Sequence, residues 1–295
     1  MNETIAKTPE TIEELIRWST DFLTKKGLST ARLDTELLLA KALDLRRIDL
    51  YLRFDQPLSR QELGIFKALL IRRANHEPVA YILGYKEFMS LRFQVDSRAL
   101  IPRNETECLV ERVIEFAKSL RKPVRILEIG VGSGCIGFSL LHFLPESCLL
   151  ALEISEAAIE LSRINAQNCK IEESRFEFHL KDALDENNWK GLGKFDIIVS
   201  NPPYIAPQER GQLARSVLDF EPELALFGGT DGLQFYERFA ATAHEHLLAN
   251  GRLFLEIGKD QGQAVTVLLR SHGWRDVAII KDYSKNDRIV EGAHE

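Results

Sequence analysis

At 295 residues the chain is about twice the ~150 residues of an ordinary domain, so length alone favours two domains. A hydrophobic share of 45%, a charged share of 28%, 18 Gly and 10 Pro exclude disordered and collagen-like classes, and a chain this long buries a core without staples. The net charge of −6 is uneven: residues 1–90 hold 14 Lys/Arg against 13 Asp/Glu, leaving an acidic body that speaks against a life on nucleic acid phosphates.

The first 76 residues read as helices. Thr8-Pro9 is an N-cap followed by Pro at the first helical position, and Ile12, Leu15, Ile16, Phe22 and Leu23 recur at helical spacing until Gly27. Thr30 opens a second helix around Leu33, Leu37 and Leu38. Ser59 and Glu62 form a capping box for a third, carrying Leu63, Phe66, Leu69 and Leu70 and ended by Pro78. The expectation is a small helical bundle over residues 1–77, in which Arg46-Arg47 and Arg72-Arg73 are solvated faces. Residues 78–99 change period, and 81–85 with 91–95 predict two short strands of a connecting β-hairpin.

From about Glu105, strands are predicted at Arg125–Ile129, Cys148–Glu153, 175–180, Phe195–Ser200, 252–256 and 277–281. Amphipathic helices such as 157–169 and 233–248 lie between them. Alternating β and α at this spacing predicts a Rossmann-like, mostly parallel sheet wrapped by helices over residues 100–295.

Cysteines at 108, 135, 148 and 169 form no C-x-x-C pair and have no histidine at metal-ligand spacing. Reduced, mostly buried thiols are expected, with no metal. Residues 1–10 are polar and carry no apolar signal region, and no run approaches ~18 apolar residues, so a cytoplasmic protein without membrane partners is expected.

The first strong motif is Gly130-Val131-Gly132-Ser133-Gly134-Cys135-Ile136-Gly137, between a strand and a helix. Glycines turn the chain sharply off the strand and bring backbone close to a ligand, while the helix N-terminus offers free N–H groups. Gly132, Gly134 and Gly137 fit the dinucleotide fingerprint G-x-G-x-x-G. Glu128, Gly130, Gly132 and Gly134 fit E-x-G-x-G-x-G, which resembles the first motif of S-adenosylmethionine-dependent methyltransferases. Glu153, ending the next strand, is placed to hold ribose hydroxyls in either case. The loop says nucleotide-like cofactor and leaves the choice open.

The second motif makes that choice. Strand Phe195–Ser200 ends in Asn201-Pro202-Pro203-Tyr204, at the carboxyl edge where open α/β sheets bind ligands. Two prolines stiffen the backbone and remove donors, yet their carbonyls and the Asn201 side-chain oxygen still accept hydrogen bonds. That set suits a planar –NH2 substrate. An amide nitrogen is a poor nucleophile because its lone pair is delocalised. Two acceptors, Asn201 Oδ1 and the Pro202 carbonyl, would grip its two hydrogens, aim the nitrogen at a sulfonium methyl and stabilise the developing positive charge. A methylated, protonated amide is acidic enough to need no dedicated base, and Tyr204 would pack against the planar group.

These and further motifs resemble the PrmC/HemK family, the protein-(glutamine-N5) methyltransferases of peptide-chain release factors. The resemblance runs through Pro78-Val79-Ala80-Tyr81-Ile82-Leu83-Gly84, Leu100-Ile101-Pro102-Arg103-Asn104-Glu105-Thr106-Glu107, the glycine loop, Ala151-Leu152-Glu153-Ile154-Ser155 and Ser200-Asn201-Pro202-Pro203-Tyr204-Ile205. It continues through Phe220-Glu221-Pro222, residues 228–232, Arg275-Asp276-Val277 and Asp282-Tyr283, covering nearly the whole chain. Asn-Pro-Pro-Tyr alone is shared with adenine-N6 methyltransferases; the Tyr-Ile-Leu-Gly and Ile-Pro-Arg segments are far more specific.

The resemblance implies a class I S-adenosylmethionine-dependent methyltransferase fold with an N-terminal helical substrate-recognition domain. It implies methyl transfer to the side-chain amide of the glutamine in the Gly-Gly-Gln motif of class I release factors, with S-adenosyl-L-homocysteine as product. Gly130, Val131, Gly132, Ser133, Gly134 and Glu153 would contact the cofactor, with Asp182 and Ala183 flanking its adenine and Asn201 reaching it. Asn201, Pro202, Pro203 and Tyr204 would hold the glutamine, with Asn201, Pro202 and Tyr204 carrying the catalysis. Arg103, Glu105 and Thr106 would line the active-site mouth. The chain departs from the family where Asn104 stands in place of a common Pro, and where Glu128 and Glu153 stand for Asp. A monomer with no direct nucleic acid partner is expected.

The nearest rival, an adenine-N6 nucleic acid methyltransferase, would need base flipping and a basic channel, against the acidic catalytic domain. An NAD-dependent oxidoreductase would need the other glycine register and a hydride-relay residue; His142, His179, His244, His246 and His272 show no such setting.

Overall fold

The computed structural model describes residues 11–294. The chain divides into two compact units: the described residues up to Gly84 together with Arg215–Phe220, and Tyr85–Ala214 together with Glu221 onward. The short segment Arg215–Phe220, which the sequence places in the catalytic region, thus groups with the helical unit.

The first unit holds α1 (Ile12–Lys25), α2 (Ala31–Ala42), α3 (Arg47–Tyr51), α4 (Arg60–Ala74) and α5 (Val79–Leu83). Thr8 and Pro9 lie outside the described residues, and α1 opens on Thr11, whose hydroxyl accepts from the Glu14 amide in a capping box. Ser59 and Glu62 form the expected box on α4. Ile12, Leu23, Leu38, Leu39, Leu50, Phe66 and Leu70 make the core.

Apolar periodicity misreads α2. Leu33 is exposed, whereas Asp34 and Glu36 are buried. Asp34 pairs with buried Arg73 at 2.7 Å; Glu36 accepts from Arg47 at 2.8 Å, Arg32 at 3.0 Å and the Tyr51 hydroxyl at 2.6 Å. Burial alone would raise the Glu36 pKa, but the hydrogen bonds from Tyr51, Arg47 and Arg32 outweigh it and hold the carboxyl below its ordinary range. Of the two arginine pairs, Arg46, Arg47 and Arg72 lie exposed as expected, pairing with Asp49, Glu36 and Glu77, whereas Arg73 departs from the expectation and is buried against Asp34.

Residues 81–83, the start of the strand read over 81–85, instead belong to the helical turn α5. Pro78 supplies the helix-compatible φ at its start and Gly84, at φ +82°, ends it in the left-handed region. The hairpin is β1 (Tyr85–Phe88) and β2 (Leu91–Gln94), joined by Met89 and Ser90, both at positive φ as a tight two-residue turn demands. It belongs to the second unit and buries Phe88 and Phe93 there.

The second unit continues with α6 (Glu107–Ser119), β3 (Arg125–Ile129), α7 (Cys135–Phe143), β4 (Cys148–Glu153), α8 (Glu156–Asn168), β5 (Phe176–Leu180) and β6 (Phe195–Ser200). After α9 (Arg215–Leu218) in the other unit come α10 (Gln234–Thr242), β7 (Leu247–Glu256), α11 (Gly262–Ser271), β8 (Arg275–Lys281) and β9 (Asp287–Ala293). The seven strands run β5-β4-β3-β6-β7-β9-β8, parallel except for β9, which pairs antiparallel with both neighbours. Alternating strand residues feed two cores: Ile126, Ile197, Val199 and Phe254 pack under α6 and α7, while Leu127, Ile198, Leu253 and Leu255 pack under α10 and α11.

Two elements differ from expectation. The helix predicted over 233–248 stops at Thr242, because Leu247 already pairs with Phe195 and the apolar run Leu247-Leu248 belongs to β7. The strand β9 has no apolar alternation to announce it. Its Glu291 is buried and accepts from Arg112 of α6 at 2.7 Å and Arg252 of β7 at 2.6 Å, a charge network beside the buried apolar Ile289 and Val290, one in each core. Among the cysteines, Cys108 and Cys169 are buried and Cys148 is exposed.

Candidate active site

The carboxyl ends of β4, β3 and β6 lie side by side, and the strand order turns outward in both directions from β3, the crevice where open α/β sheets bind ligands. A cavity of about 550 Å3 occupies it, within the range of small-molecule and cofactor sites.

The glycine loop forms its floor. Gly130, Gly132 and Gly134 have φ of +78°, +53° and +79°, a region that costs an L side chain about 1–2 kcal/mol. At Gly130 and Gly132 nothing lies within 4 Å of where a Cβ would stand, so these two glycines leave an open cradle. Gly134 caps α7, where a Cβ would overlap the Phe138 ring; a Cβ at Gly137 would overlap the Glu128 carboxyl beneath the loop. Burial pushes that carboxyl well above its ordinary range, and Glu128 lies beneath the loop rather than among the residues that line the cavity.

Several bonds hold the floor rigid. The Gly130 amide donates to the Leu152 carbonyl at 2.8 Å, and buried Asn165 of α8 donates to the Ser133 carbonyl at 2.9 Å. Asn165 also accepts from the Gln94 amide at 2.7 Å, tying the hairpin to the same loop. Glu153 accepts from the Gly132 amide at 3.0 Å and the Ser155 amide at 2.9 Å, which leaves further carboxylate lone pairs facing the cavity. Asp182, beyond β5, closes an Asx turn onto the Leu184 amide at 2.8 Å, and the Ala183 carbonyl takes the Trp189 indole N–H at 2.8 Å.

On the opposite side stands the Asn-Pro-Pro-Tyr loop. The Ser200 hydroxyl donates to the Ile129 carbonyl at 2.7 Å, clamping the ends of β6 and β3. Ile205 bridges in parallel to Phe227, its amide donating to the Leu226 carbonyl at 3.0 Å. Gln261 donates to the Tyr204 carbonyl at 3.0 Å. A Cβ at Gly228 would overlap the Pro203 carbonyl and one at Gly232 the Tyr204 carbonyl. Two backbones thus pack face to face, and the catalytic-loop geometry depends on both glycines.

Of the residues predicted from sequence, Gly130, Val131, Gly132, Ser133, Glu153, Asp182, Ala183, Asn201, Pro202 and Pro203 line this one cavity. Gly134 stands behind the floor, and Tyr204 packs into the core under α10 and α11. Burial and the neighbouring Glu256 push the Tyr204 phenol up to about 12, so it stays neutral. The mouth contains Arg103 and Thr106 as expected. It also contains residues that periodicity did not single out, among them Leu224, Phe227 and Phe235, apolar side chains contributed by a loop and a helix start. Buried Glu221 organises the mouth, accepting from Arg103 at 2.7 Å and the Ile101 amide at 3.1 Å. Asn104, which replaces the common Pro, accepts from Lys86 of the hairpin at 2.8 Å.

An adenosyl-amino-acid cofactor fits this donor set: an open glycine cradle, a strand-end carboxylate, and a helix N-terminus supplying N–H groups. Fold and site together define a class I S-adenosylmethionine-dependent methyltransferase. Residues 14–84 match the family model described as PrmC N-terminal domain, and residues 106–220 that described as methyltransferase small domain. Over 282 residues the chain is 39% identical to a release factor glutamine methyltransferase of Geobacter sulfurreducens, covering 96% of each chain. It is 36% identical over 296 residues to that of Rhodopirellula baltica, covering 98% of each. A methyltransferase structure from Pyrococcus furiosus, at 19% identity and TM-score 0.50 over 77% of this chain and 96% of that one, shares the fold. The chain belongs to the release factor glutamine methyltransferase family.

Proposed function

We propose that the enzyme transfers a methyl group to the side-chain amide nitrogen of the glutamine in the Gly-Gly-Gln motif of class I release factors. The observation that carries this reading is Asn201. It lines the cavity beside Pro202, and its Nδ2 donates to the Thr106 hydroxyl at 3.3 Å. With the NH2 end engaged, Oδ1 is the end free to accept, and the Pro202 carbonyl has no competing donor on its own residue.

S-adenosylmethionine supplies an electrophilic sulfonium methyl when bound. Gly130, Val131, Gly132 and Ser133 would hold its amino-acid part against open backbone, Glu153 its ribose hydroxyls, and Asp182 with Ala183 its adenine. Asn201 Oδ1 and the Pro202 carbonyl would take one hydrogen each of the glutamine –NH2, fixing the nitrogen's direction and stabilising positive charge as the new bond forms. Pro203 stiffens this pair, and Leu224, Phe227 and Phe235 give the mouth of the same cavity an apolar lining. The excess proton of the methylated amide leaves to solvent without a base. We assign recognition of the release factor to residues 1–77, in keeping with the match of 14–84, and the reading puts the enzyme in the cytoplasm.

The test is incubation with labelled S-adenosylmethionine and a release factor, beside a release factor whose Gly-Gly-Gln glutamine is changed to alanine. Label is expected in the first only. Equal labelling of both, or of neither, would overturn the reading.

A further inference from the structure

One face of α8 meets the glycine loop with two polar side chains that have no place in the mechanism so far. Ser162 and Asn165, three positions apart on that helix, are both 0% exposed, and neither lines the cavity. The Ser162 hydroxyl donates to the Gly132 carbonyl at 2.9 Å, and Asn165 Nδ2 donates to the Ser133 carbonyl at 2.9 Å. The Asn165 amide is fully used, because Nδ2 also donates to the Gln94 carbonyl at 2.9 Å while Oδ1 accepts from the Gln94 amide.

A trans peptide points its carbonyl and its N–H in opposite directions, and each buried end needs a partner. Between Ile129 and Gly130 the carbonyl accepts from Ser200 and the N–H donates to Leu152. Between Val131 and Gly132 the carbonyl accepts from the Gly134 amide and the N–H donates to Glu153. Between Ser133 and Gly134 the carbonyl is held by Asn165 and the N–H by the Val131 carbonyl. The peptide between Gly132 and Ser133 is only half paired. Ser162 holds its carbonyl, yet the Ser133 N–H has no acceptor among the described residues, although Ser133 is 3% exposed and lines the cavity. Val131 also keeps an unpaired N–H among the described residues, on a peptide that no side chain tethers. A tethered, buried donor at a cavity wall marks where a ligand acceptor belongs.

We propose that Ser162, supported by Asn165, is a positioning residue for the cofactor: by holding the Gly132 carbonyl on the α8 side it turns the Ser133 N–H into the cavity, as a donor to the carboxylate of the cofactor's amino-acid part. The inference rests on the reading of the glycine loop as the S-adenosylmethionine cradle. Of the groups in that amino-acid part, an ammonium carries donors only, so the carboxylate is the acceptor an N–H can serve, and a bond to an anion is the stronger kind. Gly132 leaves the approach open, since nothing lies within 4 Å of where its Cβ would stand. The same glycine freedom would let an untethered peptide turn, with Gly132 at φ +53° and Gly134 at φ +79°. Ser162 stops that rotation at one carbonyl. Asn165 stops it at the next and ties the loop to β2.

Calorimetry on the full chain tests the proposal with two ligands. S-adenosylhomocysteine carries the amino-acid carboxylate and 5′-methylthioadenosine lacks it, while both carry the thioether-linked adenosine. Ser162→Ala is expected to weaken S-adenosylhomocysteine on the order of 10-fold and to leave the affinity for 5′-methylthioadenosine unchanged. A purely structural role for Ser162 would weaken both ligands alike. Equal loss of both, or loss of neither, would overturn the proposal. A second arm uses the wild type and so does not depend on how the variant folds. In the isotope-labelled chain, the Ser133 amide proton resonance is expected to move downfield on adding S-adenosylhomocysteine, a displacement that 5′-methylthioadenosine does not reproduce. An unmoved resonance, or the same displacement by both ligands, would overturn the proposal and leave the cofactor reading standing. A wild type that bound neither ligand would overturn the cofactor reading and this inference with it, so the two failures are distinguishable.

Discussion

Asn201 has a donor end and an acceptor end within one planar group, and the proposed chemistry uses only the acceptor. Asn201→Ala is therefore expected to lower kcat by on the order of 10²–10³-fold while leaving S-adenosylhomocysteine affinity within a few fold, because the lost contact acts on the reacting amide. Calorimetry and single-turnover rates separate the two; a collapse of cofactor affinity would assign Asn201 to the cofactor instead. The glycines of the loop divide in the same testable way. Gly132→Ala meets open space, so it costs only backbone strain of about 1–2 kcal/mol, but it fills the cradle and should weaken cofactor binding more than ~10-fold. Gly134→Ala drives a methyl into the Phe138 ring and should lose more stability than Gly132→Ala in a thermal melt. Both motifs were legible in the sequence because glycine and proline state backbone geometry directly. Thr106 and Glu221 were not legible as organising groups, because their partners lie 95 to 120 positions away, as the Asn201–Thr106 and Glu221–Ile101 bonds show.

At the scale of elements, buried charge decides what periodicity could not. The short helix α3 exists because Glu36 holds Arg47 and Tyr51, and β9 sits in the sheet with an inward Glu291 between Arg112 and Arg252. Burial raises the Glu291 pKa, but the hydrogen bonds and charges of Arg112 and Arg252 outweigh it and hold the carboxyl below its ordinary range, so its stabilisation is present at neutral pH and is lost on acidification. Glu291→Gln leaves two arginines facing a neutral amide and should cost about 3–5 kcal/mol at neutral pH, read by denaturant unfolding. Glu256 has the opposite sign. Its folded pKa is about 7 against an ordinary 4.5, so folding favours the neutral carboxyl: the benefit is full below about 4.5 and is lost as pH rises through about 7. Glu256→Gln should therefore become progressively more stable than the wild type between about pH 5 and about pH 8, by up to roughly 3 kcal/mol. A stability difference that does not change with pH would contradict this.

At the scale of the whole molecule, alternating strands and helices announced the parallel sheet, and five of its seven strands lie within a residue or two of their predicted spans. The exceptions follow from pairing rather than propensity: β7 starts five residues early because Leu247 pairs with Phe195, and β9 joins by antiparallel pairing with both β7 and β8. The acidic balance of residues 91–295 suits a protein amide better than a polyphosphate, and residues 1–77, close to neutral, are the ones proposed to read the release factor. The central claim is that the acceptor is one glutamine amide. It is tested most directly by mapping, by mass spectrometry, the methyl group on a release factor treated with this enzyme and S-adenosylmethionine. A single methyl on the side-chain nitrogen of the Gly-Gly-Gln glutamine, absent when Asn201→Ala replaces the wild type, is the predicted result. A methyl found on another residue, or an unmodified glutamine under conditions where the cofactor is bound, would contradict it.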